Sequence, residues 1–252
     1  MPRTLVLFAH PALEKSRVHR RLVRGLPGLA ARTPGLTFRD LYEAYPDFDV
    51  DVEAEQALLL AHDLVVVQHP FYWYSTPALL KQWEDLVLEH GWAYGSRGRA
   101  LEGKRWLSVI TLGGGAGAYC RAGYNRYSVR ELLRPLEQTA RLCRMTFLPP
   151  YAVFGTHRLT DADIDREAER YAGLLAALAE DRVALDAPHD PPGPVPDFAP
   201  DNALLAAADV DALLAGATPD AVPNASPNAP ANASSGAAPN ATANGAPAGA
   251  RA

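Results

Sequence analysis

The 252-residue sequence predicts a doubly wound α/β fold: a parallel sheet with helices on both faces. Three observations carry this. Apolar runs too short for helices recur along the chain, stretches of helical periodicity separate them, and turn-forming residues follow each run. Leu5-Val6-Leu7-Phe8-Ala9 is continuously apolar, as a strand buried on both faces requires. Residues 16–31 follow, with Leu22, Val23, Leu26 and Leu29 at helical spacing. Residues 36–42 alternate as a second strand. Asp49, Asp51, Glu53 and Glu55 open the next helical segment, where acidic side chains complement the helix dipole. Leu64-Val65-Val66-Val67 is the third and most apolar strand, and Pro77 opens the helix after it from the first turn, where its missing N–H costs nothing. Residues 105–111 form a fourth strand. Residues 128–143 form a helix that Pro135 bends, and residues 147–154 form a fifth extended segment broken by Pro149-Pro150. Thr160, with Asp163 three residues on, caps a last helix through Tyr171, Leu174, Leu175 and Leu178.

Composition then divides the chain. Residues 1–182 have a globular mixture and suffice for one α/β domain, whereas residues 183–252 are rich in Pro, Ala and Asn and are expected to be mostly disordered. Within that tail, residues 202–215 have the spacing of one short amphipathic helix, although composition favours a flexible, solubilising extension. Asn224, Asn232 and Asn240 match the glycosylation acceptor pattern only through an Asn-Ala repeat. Residues 181–252 carry eight Asp and two Arg, so the acidic balance belongs to the tail. The rest, with 22 basic and 21 acidic residues, has no basic footprint for nucleic acid. Two cysteines make no disulfide framework, and no run reaches the roughly 18 apolar residues of a membrane span. With a first strand beginning at Leu5 and no apolar leader, a cytoplasmic location is expected.

Three loops follow strands at one edge of such a sheet, where open α/β folds bind ligands. The first holds His10-Pro11, with Ser16 at a helix start that suits a phosphate; taken alone, His-Pro after a strand is more often turn chemistry. The second, Pro70-Phe71-Tyr72-Trp73-Tyr74-Ser75, has four consecutive aromatics that cannot all face a core. They suit stacking on a planar ligand or an interface between subunits. The third, Thr111-Leu112-Gly113-Gly114-Gly115, lets backbone N–H groups approach a ligand without an intervening Cβ. Aromatics beside a glycine run point to a flavin. There is no dinucleotide fingerprint, P-loop or metal-spaced Cys/His cluster. Cys120, between Tyr119 and Arg121, is read as an inert small residue.

His10-Pro11, Tyr45-Pro46-Asp47-Phe48, Gln68-His69-Pro70, Trp73-Tyr74-Ser75-Thr76-Pro77, His90-Gly91-Trp92-Ala93-Tyr94-Gly95 and Thr111-Leu112-Gly113-Gly114-Gly115 together resemble the flavodoxin-like NAD(P)H:quinone oxidoreductases. Within these they look most like the ancillary flavoproteins of bacterial glutathione-regulated potassium-efflux systems. The resemblance covers residues 3–178. It implies a flavodoxin-like three-layer sandwich of strand order 2-1-3-4-5, and a homodimer with FMN (or FAD) near the subunit seam. It further implies ping-pong, two-electron reduction of quinones or similar electrophiles by NAD(P)H. The alternative it implies is activation of a potassium/proton antiporter, with peripheral placement at the inner membrane face through that partner.

Carried over residue by residue, His10, Ser16 and His19 hold the flavin phosphate. Pro70, Phe71, Tyr72, Trp73 and Tyr74 line the ring; Thr111, Leu112, Gly113 and Gly114 meet its polar edge. Tyr119 bonds the flavin rim or orients and helps protonate the acceptor. Two positions depart from the pattern: His19 stands where Asn is common, and Asn125 where a histidine is common. Asparagine can hydrogen-bond but cannot carry a proton.

Overall fold

The computed structural model of the chain describes residues 2–183, 185 and 204–216. Its sheet is entirely parallel. The central strands β1 (Thr4–Phe8), β3 (Leu64–Pro70) and β4 (Arg105–Thr111) lie between β2 (Leu36–Asp40) on one side and the short β5 (Thr146–Phe147) and β6 (Tyr151–Val153) on the other. The order is β2-β1-β3-β4-β5, with β6 also on β4. Thr4 pairs with Leu36 and Leu64, and Leu64 in turn with Arg105, so the strands start level and their carboxyl ends form one rim. β1 and β3 are buried at every residue, which is why residues 5–8 and 64–67 are continuous Val, Leu and Phe.

Helices cover both faces. On one side lie α1 (Arg17–Val23), α2 (Leu26–Arg32) and α8 (Asp161–Ala179). They pack Leu22, Leu26, Tyr171 and Leu174 on Val6, Phe8, Val66 and Val109. On the other lie α3 (Leu41–Ala44), α4 (Val52–Ala61), α5 (Ala78–Val87), α6 (Val129–Leu132) and α7 (Arg134–Leu142). Here Leu41, Leu59, Trp83 and Leu136 pack on Leu5, Leu7, Val65, Val67 and Ile110.

Several boundaries differ from the sequence reading, each for a local reason. Residues 16–31 form two helices; the chain turns at Arg24–Gly25 and Pro27 restarts it from a first-turn position. The second strand stops at Asp40, whose carboxylate caps α3 by accepting the N–H groups of Tyr42 and Glu43. Residues 128–143 are likewise two helices, α6 behind a capping box of Ser128 and Glu131, and α7 with Pro135 in its first turn. Glu55 does not serve the helix dipole at the surface. It is completely buried, and its carboxylate accepts from Arg39 Nε (2.9 Å), Tyr45 Oη (2.8 Å) and Trp83 Nε1 (3.0 Å). Thr160 and Asp163 make the expected capping box.

Of the two readings of residues 202–215, the structure shows the short helix. Residues 207–214 form α9 (Ala207–Leu214), which lies on α8 and buries Val210 completely. Arg170 grips Asp211 with two bonds, Nε–Oδ1 at 2.7 Å and Nη2–Oδ2 at 2.9 Å. Gly173 makes room, since a Cβ there would lie 3.2 Å from Leu214 Cδ1. Just before α9, Leu205 N–H donates to Pro150 O at 2.9 Å and forms an isolated bridge to Tyr151. Among the described residues α9 packs with the sheet-and-helix unit through α8. The rest of the expected disordered tail, including the three glycosylation-like triplets, lies outside the described residues. Gly173→Leu is expected to lift α9 away. Hydrogen exchange should then show amides 205–214 losing protection while those of β1 and β3 keep theirs; unchanged protection of α9 would contradict this docking.

Candidate functional site

The chain passes from β1 outward to β2 and returns to β3 on the other side of β1, so the loops after β1 and β3 part at a topological switch point. The loop after β4 lies beside them. Side chains from all three meet there.

His10 is 4 % exposed; its Nδ1 accepts the Ala12 N–H at 3.1 Å, and its Nε2 lies 3.5 Å from Tyr72 Oη. Ser16 caps α1 by accepting the His19 N–H at 3.1 Å. His19 is buried, edge-on to His10 with centroids 5.0 Å apart. Its ring is held from both sides: Gln68 Nε2 lies 3.5 Å from Nδ1, and Thr111 Oγ1 lies 2.9 Å from Nε2. Tyr171 O–H donates to Gln68 Oε1 at 2.9 Å, which turns the Gln68 amide N–H toward Nδ1 and leaves the His19 proton on Nε2 for Thr111. A buried relay Tyr171–Gln68–His19–Thr111 thus ties α8, β3, α1 and β4 together under the rim. Burial lowers the pKa of His10 and of His19, the latter well below its ordinary value, with His10 and His69 adding to the effect. Burial also brings His69 down to about 4. The floor of the site is therefore neutral at physiological pH. Both ring nitrogens of His19 thus have partners within the protein, Gln68 and Thr111.

The aromatic loop leaves β3 at Pro70, whose carbonyl accepts the Tyr72 N–H, while the Phe71 N–H donates to Thr111 O at 2.9 Å. Tyr72 and Ser75 form an antiparallel bridge around Trp73 (φ +51°) and Tyr74 (φ +63°). Two successive left-handed central residues are the signature of a type I′ turn, which normally takes Asn-Gly. Bulky residues in this conformation cost on the order of 1–2 kcal/mol each. The strain presents their rings: Trp73 is 93 % exposed, and Tyr72 and Tyr74 about half exposed. Tyr74 O–H donates to Asn125 Oδ1 at 2.9 Å, so Asn125 anchors the aromatic turn to the β4 loop.

The missing Cβ atoms of the glycine run also make room for side chains. A Cβ on Gly113 would stand 3.0 Å from His157 Nε2, one on Gly114 3.1 Å from Tyr119 Cε2, and one on Gly115 2.7 Å from Arg158 Nη2. Each missing Cβ admits one side chain. Tyr119 is nearly buried, and burial raises its pKa, so it keeps its proton. Leu112 is buried, with its N–H on Val153 O and its carbonyl on Thr156 N–H, and contributes packing at the rim. His157 and Arg158, on the loop after β6, were not among the expected residues; the Gly-Thr-His-Arg stretch after a strand was the available signal. Cys120 is half-buried and its Sγ–H contacts Gly117 O. Among the described residues no group of side chains has the arrangement of a metal site.

A family model described as "Flavodoxin-like fold" (Flavodoxin_2) matches residues 2–175. The chain belongs to this family. Within Flavodoxin_2, it is 46 % identical over 176 residues to the glutathione-regulated potassium-efflux system ancillary protein KefG of Pectobacterium carotovorum, covering 70 % of this chain and 94 % of that one. Among solved structures it resembles the general stress protein 14 of Treponema denticola, crystallised with FMN, at 40 % identity and TM-score 0.65, covering 70 % of this chain and 99 % of that one. It also resembles an NADPH-quinone reductase of P. pentosaceus at 32 % identity and TM-score 0.58, covering 70 % and 97 %.

The residues fit a flat, hydrogen-bonding ring. Aromatic faces are held outward by a strained turn, and Tyr119, seated on Gly114, lies near enough to Tyr74 to feel it electrostatically. No helix among the described residues is long and apolar enough to cross a membrane.

Proposed function

We propose that this chain is an FMN-dependent NAD(P)H oxidoreductase that reduces quinones or similar electrophiles by two electrons. The observation that carries the reading is the meeting of the aromatic turn, Tyr119 on Gly114, and the His10–His19–Thr111 cluster at the switch point. FMN is preferred to FAD because a 40 %-identical neighbour was crystallised with it. When bound, FMN supplies the relay of a hydride from nicotinamide to acceptor.

The chain's own residues do the rest. His10, Ser16 and the first turn of α1 would receive the phosphate, where helix N–H groups lack partners. Pro70 and residues 71–74 would flank the ring, and Thr111, Gly113 and Gly114 would face its polar edge. Tyr119, neutral and nearly buried, would donate its hydroxyl proton in a hydrogen bond to the acceptor oxygen. Asn125 would act by holding Tyr74.

Nicotinamide and acceptor would share one pocket in turn, so double-reciprocal plots with NADH and a benzoquinone should give parallel lines. A preparation that stays colourless after soaking with FMN would overturn the assignment, and the mass of a released chromophore distinguishes FMN from FAD. Tyr119→Phe should keep the flavin spectrum and lower kcat for benzoquinone roughly ten- to a hundredfold, the loss of one functional hydrogen bond. An unchanged kcat would remove Tyr119 from the mechanism.

The exposed Trp73 suits a seam between two copies, so a homodimer is part of the proposal; light scattering reads it directly. Similarity to KefG favours a second reading, in which the chain is a cytoplasmic ancillary subunit that reaches the membrane through a potassium/proton antiporter. Co-purification with such an antiporter, together with feeble quinone turnover, would select it.

A further inference from the structure

The relay Tyr171–Gln68–His19–Thr111 holds one hydroxyl proton more than its own acceptors can take. Tyr171 and Thr111 stand at its ends, and each hydroxyl has one partner among the described residues, Gln68 and His19 respectively. Burial keeps His19 neutral, so one ring nitrogen carries a proton and the other accepts. The Gln68 amide likewise turns its oxygen to one neighbour and its N–H to the other. Two proton orders satisfy these bonds. In one, Tyr171 donates to Gln68, Gln68 to His19 Nδ1, and His19 Nε2 to Thr111, which leaves the Thr111 O–H over. In the other every bond reverses, and the Tyr171 O–H is left over.

Place in the fold decides between the two. Tyr171 and Gln68 are completely buried, and the Tyr171 ring stacks on Tyr151 with centroids 6.3 Å apart. A proton stranded there would meet neither water nor a protein acceptor, the costly case for a buried donor. Thr111 instead ends β4 at the rim, where the three loops meet, and keeps 7 % exposure. A proton left over at that end can be taken by whatever the site holds. The first order therefore prevails. It fills one lone pair of the Thr111 hydroxyl with the His19 N–H and leaves the hydroxyl's own proton to be donated.

We propose that Tyr171 is a positioning residue of the site: acting through Gln68 and His19, it makes Thr111 a hydrogen-bond donor to an acceptor atom on the edge of the bound flavin ring. Such an acceptor is a carbonyl oxygen or an unprotonated ring nitrogen; a ring N–H facing Thr111 would be refused. The identity of the ligand rests on the flavin reading, whereas the proton order rests on the burial of Tyr171 alone.

Two measurements on the full-length chain test this. Two-bond proton–nitrogen correlation spectra of isotope-labelled protein read the His19 tautomer, its signals being identified by their loss in His19→Asn. Wild type should carry the proton on Nε2 with and without FMN. Tyr171→Phe has no tyrosine proton to strand, so the Nδ1–H form should appear, and saturating FMN should return the ring to Nε2–H. Fluorimetric titration then reads FMN affinity. In Tyr171→Phe the Kd should rise as the Nε2–H fraction falls, about twofold where the two forms are equal. Thr111→Val should weaken FMN roughly tenfold, the loss of one hydrogen bond, and adding Tyr171→Phe to it should cost nothing more. Gln68→Met keeps the side-chain length without the amide and repeats both readouts should Tyr171→Phe fail to fold. Wild type that binds no FMN would overturn the flavin reading, and the proposal with it. With FMN bound by wild type, the proposal alone would fall to any of three results: Nδ1–H in wild type, an unchanged tautomer in Tyr171→Phe, or a Tyr171→Phe loss that persists in Thr111→Val.

Discussion

Glu55→Ala is expected to destabilise the protein by roughly 3–5 kcal/mol, the loss seen when one partner of a buried charge pair is removed. The fully buried carboxylate is the shared acceptor for Arg39 from β2, Tyr45 from the end of α3 and Trp83 from α5. Alanine would strand the Trp83 N–H in a buried environment and leave a guanidinium that only partly reaches water. Burial of the Arg39 charge is incomplete, which pulls the expectation toward the lower end of that range. Trp83→Phe, which removes one donor and keeps most of the packing, should cost about 1 kcal/mol. Urea denaturation midpoints compare the two directly. A Glu55→Ala loss below 1 kcal/mol would mean that the network contributes little beyond its own desolvation.

The second large effect is a dependence of stability on pH through Glu84. Burial raises its pKa from 4.5 to about 7, against a smaller opposing pull from Lys81 and a small push from Asp85; the Cys143 thiol faces it from the end of α7. Between pH 4.5 and about 7 the folded protein therefore binds a proton at this site that the unfolded chain releases. Stability falls as pH rises through that window and is flat above it. The full penalty is about 3 kcal/mol from the linkage relation. The lowered pKa values of His10, His62 and His69 act in the opposite direction, so wild type alone would mix the two trends. The difference between wild type and Glu84→Gln isolates the carboxyl group. The variant should gain on wild type by about 2.5 kcal/mol between pH 5 and pH 8, read from urea midpoints, since the first part of the penalty is incurred below pH 5. A difference that stays constant across this range would show that Glu84 ionises without cost.

The alternation of strands and helices was legible because the buried strands can hold little but β-branched and aliphatic residues. β4 falls on the expected 105–111, and the Thr160–Asp163 box opens α8 where its spacing placed it. Helix breaks were harder to see. Leu22, Val23, Leu26 and Leu29 keep their helical spacing across the turn at Gly25, so periodicity conceals it. Glu55 looked like surface charge because nothing in its neighbourhood in the sequence announces Arg39, Tyr45 or Trp83. At the site, the aromatic turn was conspicuous by composition. The pairing of Gly113, Gly114 and Gly115 with His157, Tyr119 and Arg158 arises from loops that approach one another only in the folded chain. α9 was obscured for a related reason: its neighbours in sequence are low-complexity, while its stability comes from Gly173 and Arg170, some forty residues upstream.

The split outer strand has a consequence for how copies of this chain meet in crowded solution. Consecutive prolines at 149 and 150 remove two amide donors from that flank, and Leu205 occupies the carbonyl of Pro150. A stray peptide or sister molecule finds no uninterrupted ladder to zip onto there. The stretch ahead of α9 is in this sense a selvedge, finishing that border of the sheet.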